Sequence, residues 1–173
     1  MKLITITGPS GAGKDLVASF IEEFSGIKPL CSYTTRPMRA GEQNGREHYF
    51  VSECCVPKED MLAYTVYGGY EYWTTISQIE GVATYIIDEV GLLSLQKNHP
   101  EIEIKKLYLD VSKEVRVARG ISLERISRDD HRALLPPETY DYIIRNEEHR
   151  STLRAKVQGL LMSKDFASFI LLR

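Results

Sequence analysis

Short apolar runs alternate with stretches of helical periodicity along this 173-residue chain. Runs typical of buried parallel strands occur at residues 3–7, 83–88, 104–111 and 140–145. Apolar residues recur at helical spacing over residues 16–24, 90–98, 113–119, 121–132 and 147–162. Strands that alternate with helices in this way predict an α/β fold, with a central parallel sheet covered on both faces.

Residues 31–80 interrupt that alternation. Strand-like segments occur at 31–35 and 48–52, separated by a polar turn. A stretch rich in Tyr and Thr at 63–75 surrounds Gly68-Gly69, which predicts a β-hairpin. We therefore expect a small β-rich insertion in an otherwise regular α/β chain.

Composition narrows the class of protein without identifying it. The chain is 43% hydrophobic and 27% charged with a net charge of -2, so no overall attraction to nucleic acid or anionic membranes is expected. The three cysteines, Cys31, Cys54 and Cys55, lack the spacing of a zinc site and form a poor disulfide framework. With no leader-like start and no apolar stretch of about 20 residues, the chain is predicted to be cytoplasmic.

Candidate chemistry begins at residues 8–14, GPSGAGK, which match G-x-x-x-x-G-K between a predicted strand and a predicted helix. In such a loop the backbone N–H groups wrap a phosphate chain at a helix N-terminus, and the lysine reaches the β- and γ-phosphates. A chance glycine turn is disfavoured by the flanking elements. The predicted ATP-binding residues are Ser10, Gly11, Ala12, Gly13, Lys14 and Asp15.

Two carboxylates are candidates for handling Mg²⁺. Asp15 stands where a Ser or Thr usually offers a hydroxyl to the metal, and a carboxylate is also a good ligand for Mg²⁺. Its alternative role is that of a helix-start residue favoured by the helix dipole. Asp88 ends a predicted buried strand, where it could hold Mg²⁺ through water, orient an acceptor, or cap the following helix.

A second motif follows in residues 32–45, SYTTRPMRAGEQNG, with HYFVS at 48–52. Together they resemble the signature of the guanylate kinase family, which reads Ser-x-Thr-Thr-Arg, Pro-Arg, Gly-Glu, Gly and then Tyr-x-Phe-Val. The likeness continues through GGYEY at 68–72 and YDYII at 140–144. It implies a P-loop three-layer fold that uses ATP and Mg²⁺. A single kinase domain over residues 1–173 is expected, with a core at 1–30 and 81–173, an acceptor-binding insertion at about 31–80 and a short helical lid at about 119–134.

The resemblance also implies residues that bind the acceptor. Ser32, Arg36 and Arg39 match family positions that contact the acceptor nucleotide, and guanidinium groups bind phosphate bidentately. The family's phosphate-binding tyrosine aligns with His48, and Tyr49 is adjacent. Further acceptor-binding candidates are Tyr72, Thr74 and Asp88.

Several positions depart from the family pattern for guanine. The base-binding glutamate falls on Ala63, the second aspartate of Asp-x-Asp on Val90, and the hairpin glycine on Trp73. Glu71 or Glu89 could substitute for the lost carboxylates. The leading function is ATP-dependent phosphorylation of a nucleoside monophosphate, GMP or dGMP first. The alternatives are another acceptor, such as a different dNMP or ribose bisphosphate, and a binding module without catalysis.

Arginines are concentrated before and within the lid: Arg116, Arg119, Arg125, Arg128 and Arg132. The last three are predicted to share one helical face. Arginines of a closing lid can stabilise the charge of phosphoryl transfer, and Arg119 and Arg128 are the catalytic candidates, followed by Arg125. Lys14 and Asp88 complete that set. The alternative is a solvated face with Glu124–Arg128 and Arg125–Asp129 pairs. The resemblance places Asn146 near the adenine of ATP, and its alternative is a simple turn at the end of a strand.

Overall fold

The computed structural model describes residues 1–46, 48–67 and 69–171 of the chain. Its strands are β1 (Lys2–Thr7), β2 (Tyr33–Thr34), β3 (Tyr49–Phe50), β4 (Met61–Tyr67), β5 (Tyr70–Thr75), β6 (Val82–Ile86), β7 (Glu103–Asp110) and β8 (Tyr142–Arg145). Its α-helices are α1 (Lys14–Ser25), α2 (Glu89–Asn98), α3 (Lys113–Ala118), α4 (Leu123–Asp129), α5 (Arg150–Met162) and α6 (Lys164–Leu171).

The larger sheet is parallel, with strand order β6-β1-β7-β8, and confirms the predicted α/β fold. Alternate residues of β1 point to opposite faces of this sheet. Ile4 and Ile6 pack in a core with residues of α1, α5 and α6. Leu3 packs on the other face with residues of β4 and α2. The sheet is thus covered on both sides, and the carboxyl end of its central strand β1 leads directly into residues 8–14.

The smaller sheet has the order β3-β2-β5-β4 and lies within residues 33–75. The predicted hairpin is present, with β4 antiparallel to β5. Gly69 has a φ of 80°, and Gly68 lies outside the described residues. Strands β2 and β3 have two residues each, fewer than the pattern predicted. The chain leaves β2 just before Pro37, which has no N–H to continue a sheet.

One helical prediction needs correction, and one helix was not predicted. The helix expected over 121–132 is the shorter α4, which ends at Asp129, so Arg132 lies beyond its end and shares no helical face with Arg125 and Arg128. Helix α6 was not predicted at all. It follows an extended residue, Ser163, and buries Phe166 and Phe169 against the core. Within the described part of the chain, every helix is too short or too polar to cross a bilayer.

Candidate functional site

The loop of residues 8–14 joins β1 to α1, and two of its glycines have structural reasons to be glycine. A Cβ on Gly8 would lie 2.8 Å from the carbonyl oxygen of Leu109, so only glycine allows β1 and β7 to approach there. Gly13 precedes α1 with a φ of 93°, in the left-handed region that other residues rarely adopt. The loop therefore turns sharply enough to present its backbone N–H groups at the N-terminus of α1.

Lys14 folds back along this loop. Its Nζ donates hydrogen bonds to the carbonyl oxygens of Gly8, at 2.8 Å, and Pro9, at 3.0 Å. Burial, followed by the positive charge of Arg132, lowers the pKa of Lys14 to about 8. A cation held at the loop with little solvent is well placed to bind a phosphate, whose negative charge favours the protonated amine.

Helix α4 meets the loop at Ser10. The backbone N of Ser10 donates to Asp129 Oδ2 at 2.8 Å, and its Oγ donates to Asp129 Oδ1 at 3.2 Å. Arg128 Nη2 donates to the same Oγ at 3.1 Å. Arg116 of α3 forms an ion pair with Asp129 at 3.0 Å. Asp129 is thus paired with Arg116 rather than with Arg125, its partner in the solvated-face alternative.

Arg119 and Asn146 reach the other side of the loop. Arg119 donates to the carbonyl oxygen of Gly11 at 3.1 Å and to that of Asn146 at 2.8 Å. Asn146 is buried, and its Nδ2 donates to the carbonyl oxygen of Ala12 at 2.7 Å. The structure therefore brings Arg119, Arg128 and Asn146 to the loop. Arg125 is exposed, away from these contacts.

Glu89 and Arg132 form a buried ion pair beside this region. Arg132 Nη2 lies 2.6 Å from both carboxylate oxygens, and the Glu89 side chain is 2% exposed. Both charges act on Lys14. Glu89 is therefore paired with Arg132 near Lys14. Glu71, the other carboxylate considered for base recognition, accepts a 2.8 Å hydrogen bond from the Tyr64 hydroxyl on the hairpin.

The two candidate metal carboxylates occupy different positions. Asp15 is exposed in the first turn of α1. Asp88 caps α2, where its Oδ1 accepts a 2.6 Å hydrogen bond from the Gly91 N–H, as its helix-cap alternative anticipated. Over the described ranges of the chain, no three His, Cys, Asp or Glu side chains are grouped as a metal cage. Mg²⁺ usually needs only one or two carboxylates together with substrate phosphates, so Asp15 remains a suitable ligand.

A polar cluster lies on one face of the smaller sheet. Ser32 Oγ and His48 Nδ1 are hydrogen-bonded at 2.7 Å. The His48 ring meets those of Phe50 and Tyr72 edge to face, at centroid distances of 5.8 and 5.6 Å. Tyr49 has the opposite orientation because successive strand residues alternate faces. The structure therefore places His48 beside Ser32.

The opposite face of the same sheet carries an aromatic stack. Tyr33 lies between Tyr49, at a centroid distance of 4.9 Å, and Trp73, at 5.6 Å. Trp73 is buried. Tyr49 and Trp73 are therefore part of the packing of the sheet, on the face away from Ser32 and His48.

Arg36 is a buried cation beside the polar cluster. Its guanidinium forms a bidentate pair with Glu42, at 2.9 and 3.0 Å, and lies over the Phe50 ring at 5.4 Å. The hydrogen bond from Arg36, together with one from the backbone N of Arg39, lowers the pKa of Glu42 to about 2. The Arg39 residue itself is exposed. Arg36 is thus held in place by a carboxylate that stays ionised at neutral pH.

Of the remaining acceptor candidates, Thr74 lies deepest. It is fully buried and donates a 3.0 Å hydrogen bond to the Tyr85 hydroxyl. Tyr72 is half-buried and stands beside His48 and Arg36. Ser32, Arg36, His48 and Tyr72 are therefore the acceptor candidates that the structure brings together.

Three residues important to these arrangements were missed as site residues from the sequence: Glu42, Arg116 and Asp129. Glu42 carried a signal, since it is the glutamate of the Gly-Glu step in the second motif. Asp129 carried none, because its partner Ser10 is 119 positions away in the chain. Arg116 was seen only as one of several arginines, and its burial against Asp129 depends on the same tertiary contact.

Comparison with known proteins gives consistent matches. The family model described as "Guanylate kinase" matches residues 1–111. A guanylate kinase from Protochlamydia amoebophila is 34% identical over 84% of this chain and 83% of its own length. One from Symbiobacterium thermophilum is 30% identical over 94% of this chain and 85% of its own length.

Solved structures resemble the fold. A guanylate kinase from Anaplasma phagocytophilum superposes with a TM-score of 0.60 at 20% identity, covering 94% of this chain and 87% of its own. A sugar kinase from Janibacter sp. gives a TM-score of 0.55 at 14% identity, covering 100% and 99% of the two chains. At these identities the structures support the P-loop kinase fold and nothing finer.

Proposed function

This chain belongs to the guanylate kinase family, and we propose on that basis that it transfers the γ-phosphoryl group of ATP to GMP or dGMP. The products are ADP and the nucleoside diphosphate. The observation that carries the proposal is the phosphate loop with Lys14 held at it, which Arg119 and Arg128 contact from the lid. A nucleotide-binding loop that also meets arginines of a second segment is suited to phosphoryl transfer.

We assign the acceptor phosphate to the acceptor cluster, which consists of Ser32, Arg36, His48 and Tyr72 on the smaller sheet. Ser32, His48 and Tyr72 offer polar groups within one connected set of contacts, and Arg36 supplies a fixed guanidinium. Glu42 orients that guanidinium, and Arg39 is exposed nearby in the chain for a second cationic contact. In this assignment residues of about 31–80 form the acceptor-binding insertion, and residues of about 119–134 form the lid of a single kinase domain.

The chemistry proposed for this site is positioning and charge stabilisation. The acceptor is already an anionic phosphate, so no general base is needed to activate it. Lys14, Arg119 and Arg128 would offset the negative charge that spreads over the transferred group. The lid would exclude water, which otherwise competes as acceptor. ATP and its acceptor are then the small-molecule partners of a protein that acts in the cytoplasm.

Mg²⁺ would be bound at the loop by ligands from both the protein and the substrate. We assign Asp15 to it because this exposed carboxylate lies one residue beyond Lys14, at the N-terminus of α1. When bound, the metal would neutralise charge on the β- and γ-phosphates. Asp88 has one oxygen committed to capping α2, and its assigned role is to orient the acceptor.

A coupled assay of ADP formation tests the proposed function. Purified protein would receive ATP, Mg²⁺ and, separately, GMP, dGMP, AMP, CMP, UMP or ribose bisphosphate. Turnover with GMP or dGMP well above the others is the expected result. Turnover with a different acceptor alone would refute the assignment of substrate. A folded protein that turns over none of them would instead be a binding module.

A further inference from the structure

A carboxylate of the lid lies where the phosphate loop would bind an anion. Backbone N–H groups of such loops hold phosphate oxygens, and Ser10 contributes one N–H of this loop. It donates instead to Asp129 Oδ2 at 2.8 Å, and the Ser10 hydroxyl donates to Oδ1 at 3.2 Å. Both oxygens of Asp129 are therefore bound by a single residue of the loop.

The same carboxylate is buried against a cation. Arg116 Nη1 lies 3.0 Å from Asp129 Oδ2, and the two side chains are only 8% and 7% exposed. Removing one partner of a buried ion pair strongly destabilises a protein, because the other charge is left buried without compensation. A ligand that draws Asp129 away from both Ser10 and Arg116 must therefore also supply negative charge to Arg116.

A triphosphate satisfies that requirement. Its oxygens accept hydrogen bonds from backbone N–H groups as a carboxylate does, and its charge can pair with a guanidinium bidentately. Arg128 Nη2 donates at 3.1 Å to the Ser10 hydroxyl, which in turn donates to Asp129. Exchanging Asp129 for a phosphate would therefore also favour Arg128. The loop, Arg116 and Arg128 thus form one set of donors for which two anions can compete.

We propose that Asp129 competes with the triphosphate of ATP for the Ser10 N–H, and so sets the affinity of the phosphate loop and holds the lid against it. The inference rests on the proposed function, because it takes ATP as the ligand of the loop. Binding of ATP then moves Asp129 away from Ser10 and transfers Arg116 from the carboxylate to the phosphates. Asp129 is in this sense a positioning residue that keeps α4 at the loop.

The neighbouring aspartate provides a matched control. Asp130 has the same charge and adjoins Asp129 in the chain, but its side chain is 47% exposed and pairs with Lys113 at 3.0 Å. Asp129→Asn keeps the shape of the side chain and removes its charge. Asp130→Asn makes the same change one residue away, outside the contact with Ser10.

Isothermal titration with ATP and Mg²⁺, without acceptor, tests the inference. Removing the competing charge should lower the Kd of ATP in Asp129→Asn by about tenfold, whereas Asp130→Asn should stay within about twofold of the original protein. An equal or higher Kd in Asp129→Asn overturns the inference and leaves the proposed function intact. An equal gain in both variants also overturns it, because the effect would then be one of net charge.

The unsubstituted protein supplies a second measurement that does not depend on how Asp129→Asn folds. In a crystal structure with a non-hydrolysable ATP analogue, the carboxylate of Asp129 should have left Ser10, and Arg116 should contact a phosphate. Retention of both hydrogen bonds to Ser10 with the triphosphate in the loop would refute the competition. If ATP binds to none of the proteins, the proposed function fails, and this inference fails with it.

Discussion

The phosphate loop and the proposed acceptor cluster each lie beside an arginine that is paired with a carboxylate, but their contacts span very different distances along the chain. Arg36 pairs with Glu42, six residues away, within one turn beside the smaller sheet. Ser10 binds Asp129 at a separation of 119 residues, and Asn146 binds Ala12 at a separation of 134. The proposed acceptor cluster is therefore organised within residues 32–72, whereas the contacts of the phosphate loop come from α3, α4 and the end of β8.

This difference has a functional consequence. A site whose contacts all lie within one segment of the chain keeps its geometry when another segment moves. A site closed by long-range contacts can be opened and closed by moving one segment. In the proposed mechanism, the acceptor cluster would be the rigid part of the site, and the loop with its lid the adjustable part.

The largest effect is expected from Lys14→Ala. It removes the cation held at the loop, and the loss of charge stabilisation should lower kcat for ADP formation by about 1,000-fold. Lys113→Ala is the control, because it removes an exposed lysine that pairs with Asp130. Circular dichroism would verify that both variants fold. Near-normal activity in Lys14→Ala would show that the site is misassigned.

A smaller but more selective effect is expected from Arg36→Lys. An ammonium cannot reproduce the bidentate pair with Glu42 or its planar contact over Phe50, so kcat/KM for the acceptor should fall about 100-fold. The KM for ATP should change little, since the two regions are separately organised. Arg46→Lys makes the same substitution in the same turn. A matching fall in ATP affinity in Arg36→Lys would break the proposed separation.

His48 and Tyr49 sharpen the comparison within the smaller sheet. His48→Gln retains a polar side chain but loses the imidazole beside Ser32, and should raise the KM for the acceptor about tenfold. Tyr49→Phe removes only a hydroxyl on the opposite face, and should leave the KM within about twofold. The reverse order of effects would indicate that Tyr49 takes the family tyrosine's role.

The smallest effect is expected from a change of pH. Because burial lowers the pKa of Lys14 to about 8, the amine is protonated below that pH and becomes neutral above it. At saturating acceptor, kcat/KM for ATP should fall to about half at pH 8 and decrease further above it, since this ratio reports groups of the enzyme form that ATP binds. Lys14→Arg, whose guanidinium stays charged, should lack this fall. A flat profile of the unsubstituted protein to pH 9.5 would contradict the assignment.

Sequence reasoning predicted the features that depend on neighbouring residues. The strands of the larger sheet, the hairpin and the phosphate loop follow from local periodicity and from glycine and lysine spacing. It left open whether His48 or Tyr49 joins Ser32, because that depends on strand register, and a shift of one residue reverses the face of every side chain. It wrongly predicted that Arg132 lies within the helix of Arg125 and Arg128, because α4 ends at Asp129.

What the sequence could not provide is the contact between the lid and the loop. Nothing in the residues around Asp129 indicates that it meets Ser10, because only the packing of α3 and α4 against the loop brings the two together. The structure adds the position of one predicted departure from the family pattern. Trp73, in the place of a glycine, packs on the face of the sheet away from the acceptor cluster.

That tryptophan gives the protein a built-in optical probe. Trp73 is the single tryptophan of the chain, and it is stacked on Tyr33 beneath the sheet whose other face carries Ser32 and His48. Its fluorescence should therefore respond to events at the acceptor cluster and not to movement of the lid. Titrating ATP and the acceptor separately while monitoring this emission would report the two halves of the reaction independently, without any attached dye.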